Sequence, residues 1–183
     1  MEIIILMVVA AIIAIWFAAG YNGFIKLKNS VEEAFSTMDV YLKKRYDLIP
    51  NLVETVKGYA AHEAGTLEKV ISARNKAQSA TTVEDKLTNE NILSGTLKNL
   101  FALAESYPDL KANTNFLDLQ QQLQRVEEDI ANSRKYYNAV VRTFNTKCES
   151  FPSLIIAKVF NFVRKPMFEV EDETERKVVK VQF

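Results

Sequence analysis

His62 and Glu63 are the residues that most invite a chemical reading, because a histidine followed by a glutamate on a helix opens the zinc-binding pattern of metalloproteases. That chemistry needs a second histidine four residues on, so that both imidazoles face one metal. Thr66 stands at that place, and the chain has one histidine in all. The pattern fails for want of ligands, and His62 is expected as a partly exposed helix residue. Cys148 is the single cysteine. No histidine lies near it in any pattern that would draw off its proton, so a small buried or half-buried role is expected. One cysteine also excludes a disulfide framework and a cysteine-clustered zinc site. Glu32-Glu33 and Glu127-Glu128-Asp129 read as solvated helix faces, and no carboxylate pair is marked out by its spacing. There is no glycine-rich phosphate loop. No residue is put forward as catalytic, cofactor-binding or metal-ligating, no cofactor is implied, and the residues point away from an enzyme.

Lys43-Lys44-Arg45 is the one basic cluster. Three charges attract an anionic partner weakly at physiological salt, so a solvated face is expected, paired with Asp39 and Asp47 within helical reach. Twenty-three Lys and Arg balance 23 Asp and Glu, which leaves no electrostatic footprint for nucleic acid. Two asparagine pairs carry more information. Asn22 and Asn29 are seven residues apart, as are Asn138 and Asn145, and each pair shares a helical face. They are either ordinary surface residues or buried amides that fix helix register at some cost in stability.

The elements that must position these residues are long helices. Glycine and proline number 5 and 4 in 183 residues, far below the roughly 12% of an average chain. From Ile3 to Ala19 run 17 consecutive apolar residues, about 26 Å of helix and near the lower limit for crossing a hydrocarbon core. Trp16, Phe17 and Tyr21 stand at its end, where aromatic rings favour the headgroup boundary. A cleaved signal peptide would carry a basic start and a small-residue cleavage site; Met1-Glu2 and the direct passage into Tyr21 supply neither. Residues 1–20 are therefore expected as a retained transmembrane anchor, with the lipid bilayer a partner of residues 3–20. Lys26 and Lys28 follow the span, so the N-terminus is expected outside and the bulk of the chain in the cytoplasm.

Beyond the anchor, Val31, Phe35, Met38, Leu42, Ile49, Leu52, Val56, Tyr59, Leu67 and Val70 trace one apolar face at steps of three and four. A long helix is predicted there, interrupted near Arg45 and Glu63. Pro50 either kinks it, which the preserved phase favours, or begins a new helix capped by Asp47. Ala80 to Thr88 reads as a loop. A second helix is predicted over 89–107, burying Ile92, Leu93, Thr96, Leu97, Leu100, Phe101 and Ala104, with Pro108 ending it and a short connection to Asn113. The third helix, from about Asn113 to Ser150, is the clearest. Phe116, Leu119, Leu123, Val126, Ile130, Ser133, Tyr137, Val140 and Phe144 form a coiled-coil-like seam. At about 57 Å it needs partners of similar length, which is bundle geometry. Residues 153–183 form a C-terminal amphipathic segment and tail. Its first part, 154–163, is either a short helix closing the bundle or an interfacial helix lying on the membrane. An acidic run from Glu169 to Glu175 follows, then the alternating segment 177–183, an edge strand or a disordered end.

The stretch Asp39-Val40-Tyr41-Leu42-Lys43-Lys44-Arg45-Tyr46-Asp47-Leu48-Ile49-Pro50-Asn51-Leu52-Val53, continuing to Glu63, closely resembles the LemA family. So do Tyr21-Asn22, the block from Ala104 to Asn113, Asn115-Phe116-Leu117 with Gln120, and Tyr137-Asn138, Asn145-Thr146 and Phe151-Pro152. Lys44 stands where that family commonly has a second arginine. The resemblance covers nearly the whole chain. It implies a bacterial-type, single-pass membrane protein, and it brings no catalytic mechanism. The expected architecture is all-α: an N-terminal transmembrane helix followed by an antiparallel up-and-down bundle of long helices over 21–152. The expected function is a membrane-tethered scaffold that binds other proteins or itself, without catalysis. The alternative is a regulatory partner of an integral membrane enzyme such as a protease.

Overall fold

With one proline and few glycines in its first 57 residues, the chain has little reason to leave the helical state, and it does not. A computed structural model of the chain describes residues 1–168. Helix α1 runs unbroken from Glu2 to Lys57, through residue 20 and through Pro50. The proline is tolerated for a specific reason. It has no N–H to offer the carbonyl of Tyr46, four residues back. Arg74 supplies the missing donor, its Nε bonding that carbonyl at 2.8 Å.

The apolar face does not continue past Lys57 on the same helix, as its phase had predicted. Gly58, Tyr59 and Ala60 turn the chain, with the Ala60 N–H bonded back to the Val56 carbonyl at 2.8 Å. A single 3₁₀ turn, Ala61–Glu63, follows. Leu67 and Val70 then belong to a separate helix, α2 (Ala64–Ser79). Phase alone cannot tell a helix that continues from one that reverses, because both lay the apolar stripe on the same core.

The loop predicted over Ala80–Thr88 shrinks to Ala80–Thr82, since α3 spans Val83–Ala104. Thr82 caps it: its hydroxyl accepts the Asp85 N–H at 3.1 Å and reaches the Asp85 carboxylate at 2.8 Å. Two threonines and a valine have weak helix propensity and hid the start. The buried face of α3 is also rotated from the predicted one. Leu87, Glu90, Leu93, Leu97, Leu100 and Ala104 are buried, while Ile92 is 50% exposed. A glutamate in the core is what a purely apolar pattern passes over. Pro108 opens one further turn, α4 (Pro108–Lys111).

Helix α5, Thr114–Glu149, carries the predicted seam. Phe116, Leu123, Val126, Ile130, Ser133, Tyr137 and Phe144 are buried, Leu119 and Val140 half-buried, and Val141 joins them in the core. Helix α6, Ser153–Val159, is the last among the described residues. The acidic run 169–175 and the alternating segment 177–183 lie outside the described residues.

Two compact units divide the described chain. One comprises residues 1–40 and 130–167. In it α1 and α5 run antiparallel, the Phe24 ring meeting Phe144 at 6.1 Å and the Phe35 ring meeting Tyr137 at 5.9 Å. The segment after α6 folds back along them, with Phe162 stacked on Phe24 at 4.7 Å. Towards the chain's beginning, no window of the apolar stretch of α1 is buried. The other unit comprises 41–129 with Phe168. Here Tyr46 meets Arg74 of α2, Arg45 meets Glu90 of α3 and Glu127 of α5, and Tyr59 meets Asn113. Those pairings make α1 and α3 run one way and α2 and α5 the other, an up-down-up-down bundle.

Candidate functional site

Arg45 was expected in a solvated basic cluster and is instead fully buried. Its neighbours Lys43 and Lys44 are exposed, Lys43 pairing with Asp47 at 3.0 Å and Lys44 lying over the Tyr41 ring at 5.3 Å. Arg45 sits on the α1 seam between Leu42 and Ile49, so helical geometry carries it into the core. A buried guanidinium must find acceptors, because desolvating a charge costs several kcal/mol unless it is paired. Its Nη2 donates to the buried carboxylate of Glu90, which also accepts from the Tyr46 hydroxyl. Its Nη1 donates to Glu127 at 2.7 Å and to the Ser94 hydroxyl at 3.0 Å. Ser94 in turn donates to the Glu90 carbonyl at 3.1 Å. Its Nε finds no acceptor among the described residues. Glu127 was expected on a solvated face; it is half-buried and held by the pair, while Glu128 and Asp129 are exposed. The cluster braces α1, α3 and α5 through one planar fork, the geometry for which arginine is suited and lysine is not.

Two grooves open in the same unit. One, of about 750 Å³, lies between the last turns of α1 and α2, with Val53, Leu67 and Ile71 as its apolar floor and Glu54, Lys57 and Glu68 among its rim. The other, of about 400 Å³, lies between α3 and α5, walled by Leu97, Lys98, Phe101 and Leu123 and reaching Ser94 and Glu127 of the cluster.

The remaining singled-out residues are dispersed. His62 is exposed on the 3₁₀ turn, and Glu32 and Glu33 are exposed on α1. Cys148 is buried; burial, and then the Glu149 carboxylate, push its thiol pKa up, which keeps it protonated and unreactive. Burial raises the Tyr107 pKa as well, helped by the Glu63 carboxylate to which its hydroxyl donates at 3.2 Å. Among the described residues no three His, Cys, Asp or Glu side chains are grouped as a metal would need. Of the four asparagines, Asn22 and Asn29 are exposed, Asn138 is half-buried and Asn145 is buried. Asn145 clamps the returning segment, donating to the Lys165 carbonyl at 2.9 Å and accepting its N–H at 2.8 Å. The Arg45–Glu90 pair is what sequence reasoning missed. Its signal was a charged residue on each of two apolar faces.

The family model that matches is that of the LemA family, over residues 34–183. The protein LemA of Metamycoplasma hominis is 25% identical over 156 positions, spanning 82% of this chain and 69% of that protein. Magnetosome protein MamQ 2 of Paramagnetospirillum magneticum is 22% identical over 208 aligned positions, spanning 97% of this chain and 76% of that one. Magnetosome protein MamQ of Magnetospirillum gryphiswaldense is 21% identical over 189 positions, with 89% and 70% spanned. With a match that runs from within α1 through the reversal at Gly58 and the α5 seam to the last residue, the chain belongs to the LemA family.

Proposed function

We propose that the chain is a single-pass, membrane-tethered scaffold whose helical bundle binds other proteins or further copies of itself. The observation that carries this reading is the groove between α1 and α2. Its floor is apolar and open while its rim carries both signs of charge, the character of a surface that receives an amphipathic helix. The buried ion cluster supports the same reading, since its charged groups are spent on holding helices together. The relatives named as magnetosome proteins fit a role in a larger assembly.

The test is photocrosslinking in intact membranes from a reactive residue placed at Ile71, in the floor of the groove. A specific adduct that disappears when Val53 is changed to Glu supports the proposal, and its size distinguishes a second copy from another protein. An adduct with an integral membrane enzyme would favour the regulatory alternative. Adducts indifferent to Val53→Glu would remove the groove from the reading. For topology, the proposal has the N-terminus outside and the bundle inside, on the strength of Lys26 and Lys28 after the apolar run. A cysteine at Thr82, with Cys148→Ser, should resist impermeant thiol reagents in intact cells. Ready labelling from outside would reverse the assignment.

A further inference from the structure

The apolar run of α1 ends at Ala19, and at the next residue the helix meets α6. Gly20 lies against α6: a Cβ built there would overlap the Cδ1 of Ile156. The glycine thus leaves room for the Ile156 side chain of α6 against α1, one residue beyond the apolar stretch. Ile156 and Ala157 are the buried side of α6. Its other side is apolar too. Ile155, Val159 and Phe160 are exposed, flanked by Phe151 at 82% and Val163 at 60%. Five large apolar side chains turned outward over so short a stretch form a patch of the kind that marks a contact surface.

The position and charge of the patch say what covers it. Tyr21, at the end of the span, packs its ring on Phe160 at 4.6 Å and on Phe162 at 5.9 Å, so the aromatic belt of the anchor and the patch are one continuous surface. A single helical residue advances about 1.5 Å, so whatever packs on Gly20 lies at the headgroup level if residues 3–19 span. Residues 21–31 and 147–165 carry six Lys and Arg and one acidic side chain, Glu149. That glutamate is paired with Arg164 at 3.1 Å. Lys158, next to Val159 in sequence, and Lys26, five residues beyond Tyr21 on α1, are exposed. An apolar patch beside Lys26 and Lys158, which make no ion pair among the described residues, fits an anionic lipid surface.

We infer that residues Phe151–Val163 form a second membrane-contacting element, seated on the surface of the same bilayer that α1 crosses. The apolar side chains of the element enter the headgroup boundary while its lysines meet anionic headgroups. The inference rests on the reading of α1 as an anchor, and the experiment separates the two.

The full chain, with Cys148→Ser, would carry an environment-sensitive fluorophore on a single cysteine at Val159, at Phe151, at Ile12 or at Thr82. Each form would be reconstituted in vesicles of phosphatidylcholine with phosphatidylglycerol as the minor component, with nitroxide lipids quenching either at the headgroup or at the chain end. All four positions are exposed, so no label displaces a buried side chain, and the cysteine at Thr82 gives up one capping hydrogen bond from Asp85. Val159 and Phe151 should be quenched by the headgroup nitroxide at least about three-fold more than Thr82, as an interfacial depth requires. Ile12 should respond most to the chain-end nitroxide. Quenching at Ile12 with Val159 and Phe151 no different from Thr82 would overturn the seating and leave the anchor standing. No quenching at Ile12 would overturn the anchor, and the seating with it.

Discussion

A guanidinium without water keeps its charge only where the fold supplies acceptors, and Arg45 has three: Glu90, Glu127 and Ser94. Removing the arginine alone takes the guanidinium away from the buried Glu90 carboxylate, the costly half of such a pair. Arg45→Met should therefore lower stability by about 3–5 kcal/mol in urea unfolding of the detergent-solubilised chain, followed by circular dichroism. Lys44→Met, one residue away on the exposed side, should leave the midpoint unchanged. Equal effects would mean that Arg45 is not held as described. Lysine in place of Arg45 should recover little, because a point charge cannot reach Glu90, Glu127 and Ser94 at once.

At the scale of the helix, Pro50 and Arg74 act as one unit. Arg74→Met removes the donor to the Tyr46 carbonyl and should cost about 1–3 kcal/mol, the penalty of an unmet buried acceptor. In a Pro50→Ala background the alanine N–H can take that carbonyl, so the same change should cost less. A double-mutant cycle with no coupling would separate the two residues. The α5 seam offers the larger effect. Leu123 and Ile130 are both about 1% exposed, and each truncation to alanine typically costs about 2–5 kcal/mol. The pair should bring a domain of about 5–15 kcal/mol close to unfolding, whereas Gln121→Ala with Glu128→Ala should shift it by less than about 1 kcal/mol. Similar losses from both pairs would misplace the buried face.

That seam was legible because it is long and strictly periodic, so nine spaced residues overrule any local ambiguity. The reversal at Gly58 was not, since the apolar phase survives a turn as well as it survives a kink. The start of α3 hid behind β-branched residues whose capping role depends on a hydrogen bond from Asp85. The Arg45–Glu90 contact was beyond reach for a different reason. The partners lie 45 residues apart, and each alone reads as a surface charge. Composition and the first apolar run spoke clearly of helices and of one long enough and apolar enough to be a candidate span, while the groove between α1 and α2 depends on the reversal and could not be read without it.

For the molecule as a whole, the proposed anchor has a consequence for where the protein can reside, because its apolar run is short. Seventeen residues cover about 26 Å, against a hydrocarbon thickness of about 30 Å in a typical bilayer. A span that falls short cannot recover length by tilting, which only shortens its projection, so the lipid must yield by thinning around it. Each ångström of mismatch costs a fraction of a kcal/mol. Trp16 is the single tryptophan and sits inside the run, which makes it a built-in reporter. Competition between brominated and plain phosphatidylcholines should show its fluorescence quenched most by chains of about 14–16 carbons and least by those of about 22. A preference for the longest chains would contradict the short span. With the bulk of its unit meeting α1 from Gly20 onward, the helix cannot slide inward to lengthen its apolar reach. Mixed with thick and thin lipid domains, the protein should collect in the thin ones.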